Sequence, residues 1–333
     1  MGNPQIVVLG GPALDTIVRV ARFPEPDGNA VATALSRSHG GMGANIAVAL
    51  ARLGNRVALM GATGDDEIGQ VLRKGLREEG VDLSAMVLRA ETATHSCFIA
   101  VNPRGERIIF GLPGTLVLEH PAELRRELLR EAQALHLAPG YCSVALAAIE
   151  VARTAGAFIS YTAGDVQWPE GVPAVREIAA RVDLLIVNRV EAALLTGHEQ
   201  PREALRALLG LVPGTVALTM GSQGVLVGSE GGLDHVPAFP VAAEDSTGAG
   251  DAFAAGLVTG LLRDLPPREA ARFGTAVATL KLRRPGARAA LPALEEVVDF
   301  LAEQGQRMQY VLESYDNHRQ IGGRGESIED HLR

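Results

Sequence analysis

An α/β fold is the expectation: a doubly wound, mainly parallel sheet flanked by helices, with a small antiparallel β lid. Three observations carry it. Short β-branched runs alternate with amphipathic helical stretches for most of the 333 residues, the pattern of parallel strands joined by crossover helices. Hydrophobic residues make up 47% of the chain, which fills a large core and excludes a disordered one. Two regions, 29–36 and 94–111, read as strands without an intervening helix and so fall outside that rhythm.

Along the chain, residues 6–9, 56–60, 134–137, 157–161, 184–187 and 216–219 are short apolar runs of strand length, read as strands buried on both faces. Helical patterns at 68–79, 122–130, 144–155 and 202–209 lie between most of them. Ligands of such sheets sit beyond the carboxyl ends of the strands. Residues 29–36, 96–102 and 106–110 are expected to form the small sheet, the last two joined by a turn at Pro103-Arg104-Gly105. That sheet is either an edge extension of the main one or a lid that closes over a ligand and excludes water. One domain is expected to cover 1–303. From Gln304 the core pattern fades into a polar tail, 304–333, where Met308, Val311, Leu312 and Tyr315 share one helical face. A disordered tail and a helix docked on a neighbouring subunit are both open.

The balance of 31 basic against 39 acidic residues gives a net charge of -8, which argues against a general nucleic-acid binder. No apolar run approaches the roughly 20 residues of a membrane helix. The N-terminus enters its first strand without a signal-peptide layout, and Cys97 and Cys142 are too few for a disulfide scaffold. A cytoplasmic protein is expected. Lys74 and Lys281 are the only lysines, which bears on how a phosphate could be held.

The most informative stretch is Glu244-Asp-Ser-Thr-Gly-Ala-Gly-Asp-Ala-Phe-Ala-Ala-Gly256, a Gly-rich turn running into a helix. The first turn of a helix leaves amide N–H groups without partners, and the helix dipole makes that end positive. Gly248 and Gly250 remove side chains there, so an anion of phosphate size can approach the amides without a lysine. Asp251 lies at the mouth of this hole. It is either a general base beside a phosphoryl group or an acidic residue that favours the helix start. A second Gly-rich turn, Gly40-Gly-Met-Gly-Ala-Asn45, precedes a second helix ending at Gly54. Asn45 offers a donor and an acceptor for adjacent hydroxyls, or serves as a turn residue. Asp15, just after the first strand, either accepts hydroxyl hydrogen bonds or is solvated.

There is no Gly-x-x-x-x-Gly-Lys-Ser/Thr loop, no His-Glu-x-x-His, no Cys pair at metal spacing and no Gly-x-Ser-x-Gly elbow. No Gly-x-Gly-x-x-Gly follows the first strand, which counts against a dinucleotide-dependent oxidoreductase. His95, His136 and Trp168 have no partner pattern and are read as structural.

Together the two Gly-rich segments resemble the two signatures of the ribokinase (PfkB) family of carbohydrate and nucleoside kinases, over roughly residues 5–301. Asp245-Ser-Thr-Gly-Ala-Gly-Asp251 fits the second signature, and Gly40-Gly-Met-Gly-Ala-Asn45 with Ala51-Arg-Leu-Gly54 fits the first. Gly64-Asp-Asp66, Asn188-Arg-Val-Glu191 and Thr219-Met-Gly-Ser-Gln-Gly224 are supporting matches. The resemblance implies a ribokinase-like fold and an ATP-dependent kinase that phosphorylates a hydroxyl of a small sugar. It implies Asp251 as base and the amides of Gly248, Ala249, Gly250 and Asp251 as the anion hole. Asp15, Gly41 and Asn45 would hold the acceptor. Asn188, Thr219, Gly221, Ser222, Gly224, Thr247 and Thr275 would meet the nucleotide. Magnesium would be held through water by Glu191, with Asn188 beside it. A potassium-like ion would take a side chain from Asp245 and a carbonyl from Gly286. The alternatives are a nucleoside kinase of the same family and a non-catalytic binding protein on this fold.

Departures from the pattern bear on the acceptor. Met42 stands where ribokinases often carry Lys, and His136-Leu-Ala-Pro-Gly140 lacks the Glu of a further sugar contact, which counts against ribose. The segment Tyr161-Thr-Ala-Gly-Asp165 lacks the usual Asn/Asp-Pro. Phe98 and Met42 are candidates for an apolar wall against a nucleobase. A homodimer is expected, because an exposed lid has edges and an apolar face to cover.

Overall fold

The computed structural model describes residues 5–104, 106–164 and 170–305. Most of the expected tail, including Met308, Val311, Leu312 and Tyr315, lies outside the described residues, as do Trp168, Asp165 and Gly105.

The six apolar runs form the heart of an eight-stranded sheet. Its order is Gly232–Val236, Val225–Ser229, Thr215–Thr219, Leu184–Asn188, Phe158–Thr162, Ala134–Leu137, Ile6–Leu9 and Val57–Met60. The strands from Thr215–Thr219 to Val57–Met60 are parallel, and the two beyond them are antiparallel. Apolar runs suit the inner strands because helices cover both faces. Met42–Arg52, Ala249–Leu261, Pro267–Leu282 and Leu294–Glu303 pack one face around Ile46, Leu50, Phe253 and Phe273. Cys142–Thr154, Gly171–Ala179, Arg189–Thr196 and Pro201–Leu209 pack the other around Val144, Ile178, Leu195 and Leu205. The expected helix at 122–130 is instead a 3-10 turn, Pro121–Glu123, followed by the helix Arg126–Glu131. Among the described residues no helix is long and apolar enough to cross a membrane.

Ile6–Leu9 is flanked by Val57–Met60 on one side and Ala134–Leu137 on the other, so the chain reverses its direction of travel across the sheet there. Crevices open at such switch points, beyond the carboxyl ends of the strands. A second sheet stands over this end, in the order Ala32–Gly40, Ala13–Val20, Ser96–Val101 and Arg107–Leu112. Its two outer pairings are antiparallel and the central one is parallel. Ala13–Val20 is a strand that the sequence reading did not isolate. Asp15 therefore lies inside a strand of the small sheet, a few residues past the end of the first main strand.

The helices Ala249–Leu261 and Pro267–Leu282 touch backbone to backbone. A Cβ on Gly256 would lie 2.6 Å from Gly274 Cα and 2.9 Å from Val277 Cγ2. Overpacking of this kind costs about 1–3 kcal/mol. Gly256→Ala is expected to lower unfolding stability by that amount in urea titrations, despite the better helix propensity of alanine.

Candidate active site

Two helix N-termini converge at the switch point. Met42–Arg52 begins after Gly41 (φ 87°) and Ala249–Leu261 after Gly248 (φ 79°), and neither start is capped by a side chain. Positive φ favours glycine, and an uncapped start leaves first-turn N–H groups available to an external acceptor. The expected anion hole is corrected at Ala249, whose amide donates to Ser246 O at 3.2 Å and so is already engaged. Gly250 extends this opening, since a Cβ there would meet no protein atom within 4 Å.

The helices are joined by one polar contact. Asn45 Nδ2 donates to Asp251 Oδ2 at 2.9 Å, across 206 residues of sequence. Both side chains are buried, Asp251 to 8% exposure. Burial pushes the Asp251 carboxyl up to about 6, against the lowering influence of the Asn45 hydrogen bond and the charges of Arg288 and Lys281. A carboxyl with that value is ionised at neutral pH yet far more basic than a solvated aspartate. In this setting it can accept a proton from a neighbouring hydroxyl.

Asp15 approaches from the small sheet. It pairs in register with Cys97 and stands against Gly40, where a Cβ would collide with its carboxylate. Burial raises its carboxyl, opposed by the nearby His95 and Arg288. Gly41 lies against Gly11 and Ala13, too close for any side chain. Asp15, Gly41, Asn45, Gly248, Ala249, Gly250 and Asp251 are thus held by adjoining segments. Phe98 belongs elsewhere: it pairs with Thr16 and Phe110, one step along from Asp15 and Cys97, which puts it on the opposite face of the small sheet. The expectation that Phe98 forms an apolar wall against a nucleobase is corrected to the extent that such a base shares the face of Asp15. Met42 packs toward Gly164, at the end of the Phe158–Thr162 strand.

The other expected residues lie on several segments, two of them at neighbouring strand ends. Asn188 and Thr219 are register partners at the carboxyl ends of adjacent strands. Asn188 caps the Arg189–Thr196 helix by accepting from Glu191 N, and donates its own N–H at 2.8 Å and its Nδ2 at 2.7 Å to the Glu191 carboxylate. Gly221–Gln223 forms an exposed 3-10 turn closed by Gly224 (φ 89°), with Ser222 in its middle. Thr247 is exposed, and its amide donates to Asp245 Oδ1 at 2.9 Å. Thr275 is buried, with its hydroxyl committed to Ala271 O at 2.8 Å. Gly286 meets Asp245 through its amide, which donates to Asp245 Oδ2 at 2.8 Å.

Sequence reasoning missed three side chains. Arg288 is buried, donates to Gly40 O at 2.9 Å, and leaves Nε and Nη1 without a protein partner. Asn45 Oδ1 is the other unpartnered buried side-chain atom among the described residues, so all of these orphans lie around Asp251. Lys281 is fully buried beside Asp245. His95 faces Asp15 and Cys97. A lysine inside the apolar run of a helix was the one available sequence signal. His136, by contrast, is a core residue bonded to Ser160 and driven down to about 3, hence neutral, by burial.

The model of the pfkB family carbohydrate kinases matches residues 3–294. The chain is 30% identical to the ribokinase of Haemophilus influenzae over 89% of its length and 98% of that protein's. It is 33% identical to the ATP-dependent ribose-1-phosphate kinase of Halopiger xanaduensis, over 87% and 95%. Among solved structures, the ribokinase of Thermotoga maritima superposes with a TM-score of 0.80 at 27% identity, covering 90% of this chain and 99% of the other.

Proposed function

The chain belongs to the pfkB family of carbohydrate kinases, and on that premise we propose that it transfers the γ-phosphoryl group of ATP to a hydroxyl of a small sugar, with Asp251 as general base. It is a phosphotransferase with an alcohol acceptor. The observation that carries the residue assignment is the buried Asp251 carboxyl, fixed by Asn45 at the mouth of an uncapped helix N-terminus. Asp251 takes the hydroxyl proton as the acceptor oxygen bonds to phosphorus, and ADP departs with the electron pair of the broken P–O bond. The amides of Gly248, Gly250 and Asp251 stabilise the charge that develops on the transferring group, while the Ala249 amide stays with Ser246 O. Asp15, Gly41 and Asn45 orient the acceptor. One domain, residues 1–303, carries the reaction.

ATP fits the other expected residues. Gly250 leaves the helix start open to phosphates, and Thr219, Gly221, Ser222 and Gly224 form the strand end and turn next to Asn188. Thr247, just ahead of that helix start, is assigned to the phosphates with it. Thr275 supports that side from within its helix. No group of three metal-ligating side chains occurs among the described residues. A lone carboxylate, Glu191, already shared with Asn188, suits a hydrated magnesium ion held through water. Bound magnesium would neutralise phosphate charge near the Asp251 carboxylate.

Exposed Leu35, Ile108, Phe110 and Leu112 on one face of the small sheet support a homodimer that covers them, and the free Cys97 and Cys142 suit the cytoplasm. The test of function is an ADP-release screen with pentoses, hexoses, sugar acids, sugar phosphates and nucleosides. Acceptor-dependent release with a sugar is expected. Release with nucleosides alone would move the acceptor class, and activity with none would leave a binding protein.

A further inference from the structure

The family resemblance leads one to expect a monovalent metal ion between Asp245 and Gly286, and the residues found there do not fit one. Gly286 presents its amide, not its carbonyl, to Asp245 Oδ2 at 2.8 Å. Asp245 Oδ1 accepts from Thr247 N at 2.9 Å. The backbone carbonyl of Asp245 accepts from Lys281 Nζ at 2.6 Å, and the same nitrogen stands 4.0 Å from Asp245 Oδ2. The Lys281 side chain is 0% exposed. The only other lysine, Lys74, has a side chain 78% exposed, so the one lysine placed inside the protein is placed here. A metal cation at Asp245 would have to sit against an ammonium of the same charge. Two unit charges at such separations repel strongly when screened from water.

We propose that Lys281 is a tethered cation in place of the monovalent metal ion: its ammonium fixes the 245–248 turn, and with it the start of the Ala249–Leu261 helix that presents Asp251, so the kinase has no potassium requirement. An ammonium ion and a potassium ion share charge and approximate size, which lets one side chain do the electrostatic work of the other. The Glu244 amide, donating to Leu282 O at 2.9 Å, ties the same turn to the end of the lysine-bearing helix. Burial pulls Lys281 below the usual lysine range, and the carboxylates of Asp245 and Asp251 oppose that pull. Lys281 acts through Asp245 and the helix start, as a positioning residue.

The inference rests on the kinase reading, and its test separates the two. The full chain is assayed for turnover with the acceptor from the screen, and for ATP affinity by calorimetry, in tetramethylammonium buffer with and without potassium chloride. Crystals are also soaked in thallium(I), a potassium mimic with anomalous scattering. The wild type is expected to change by less than about twofold with potassium, against the ~5–150-fold coupling usual for a linked effector. It is also expected to show no thallium at Asp245. Lys281→Met is expected to lose about tenfold or more in turnover and ATP affinity without potassium, to regain it with potassium or ammonium chloride, and to bind thallium at Asp245. Fivefold or greater stimulation of the wild type by potassium, thallium at Asp245 in the wild type, or a Lys281→Met protein indifferent to all cations would each overturn the proposal. Should the variant not fold, the wild-type titration and soak still decide. Failure to bind ATP in any buffer would count against the kinase reading alone, since the thallium result stands without activity.

Discussion

Asp251→Asn is expected to lower turnover by about 10²–10⁴, the range for removing a general base, with ATP affinity unchanged. The carboxamide keeps an oxygen that can accept from Asn45 Nδ2 and leaves the helix start intact. What it loses is the capacity to hold a proton. Because burial lifts the Asp251 carboxyl from 3.8 to about 6, wild-type turnover should rise with pH through about 6, and the residual activity of the variant should not. Stability moves the opposite way. Between the two values the folded state holds a proton that the unfolded chain releases, so this group's contribution is present below 3.8 and lost as pH rises through about 6. At pH 7 the variant should therefore be the more stable protein, by up to about 3 kcal/mol. Below pH 4 the difference should vanish. Steady-state pH profiles and thermal melts across pH check both limbs. Unchanged turnover would remove Asp251 from the mechanism.

The strands of the main sheet were legible because Ile6–Leu9, Leu184–Asn188 and their neighbours are apolar without interruption, as burial on both faces demands. Ala13–Val20 was not, because Asp15, Thr16 and Arg19 break its apolar run and Gly10-Gly-Pro12 before it reads as a turn. The edge hairpin Val225–Ser229 and Gly232–Val236 is hidden for a related reason: an alternating α/β pattern leads one to expect a helix after Thr215–Thr219. At the candidate site, each Gly-rich turn is visible by itself. The contact between Asn45 and Asp251 has no sequence trace, since the two are joined only by the docking of two helices. Arg288 was illegible for the same reason, since its residue type predicts solvent and its burial is a tertiary fact, whereas Lys281 left one trace, its place in an apolar helical run.

Gly248→Val is expected to damage both fold and chemistry, and its neighbour Gly250→Ala to damage chemistry alone. Gly248 has φ 79°, where a β-branched residue is strained, and a Cβ there would lie 3.1 Å from Ala287 O and 3.2 Å from Ala287 Cα. The backbone must move to admit the side chain, and the first-turn amides move with it. Strain of this kind costs about 1–3 kcal/mol. Misplacing the donors of an anion hole costs about 10²–10³ in turnover. Gly250 is different. It lacks positive φ, and a Cβ on it meets no protein atom within 4 Å, so Gly250→Ala should melt at or slightly above the wild-type temperature, as alanine favours helix. Yet the methyl group projects where the phosphoryl group is proposed to lie, so the KM for ATP should rise. Thermal melts paired with steady-state kinetics read the two effects apart. A Gly250→Ala protein with wild-type kinetics would mean that the open face of this helix start is not where phosphate binds, and the anion hole would have to be sought at another helix.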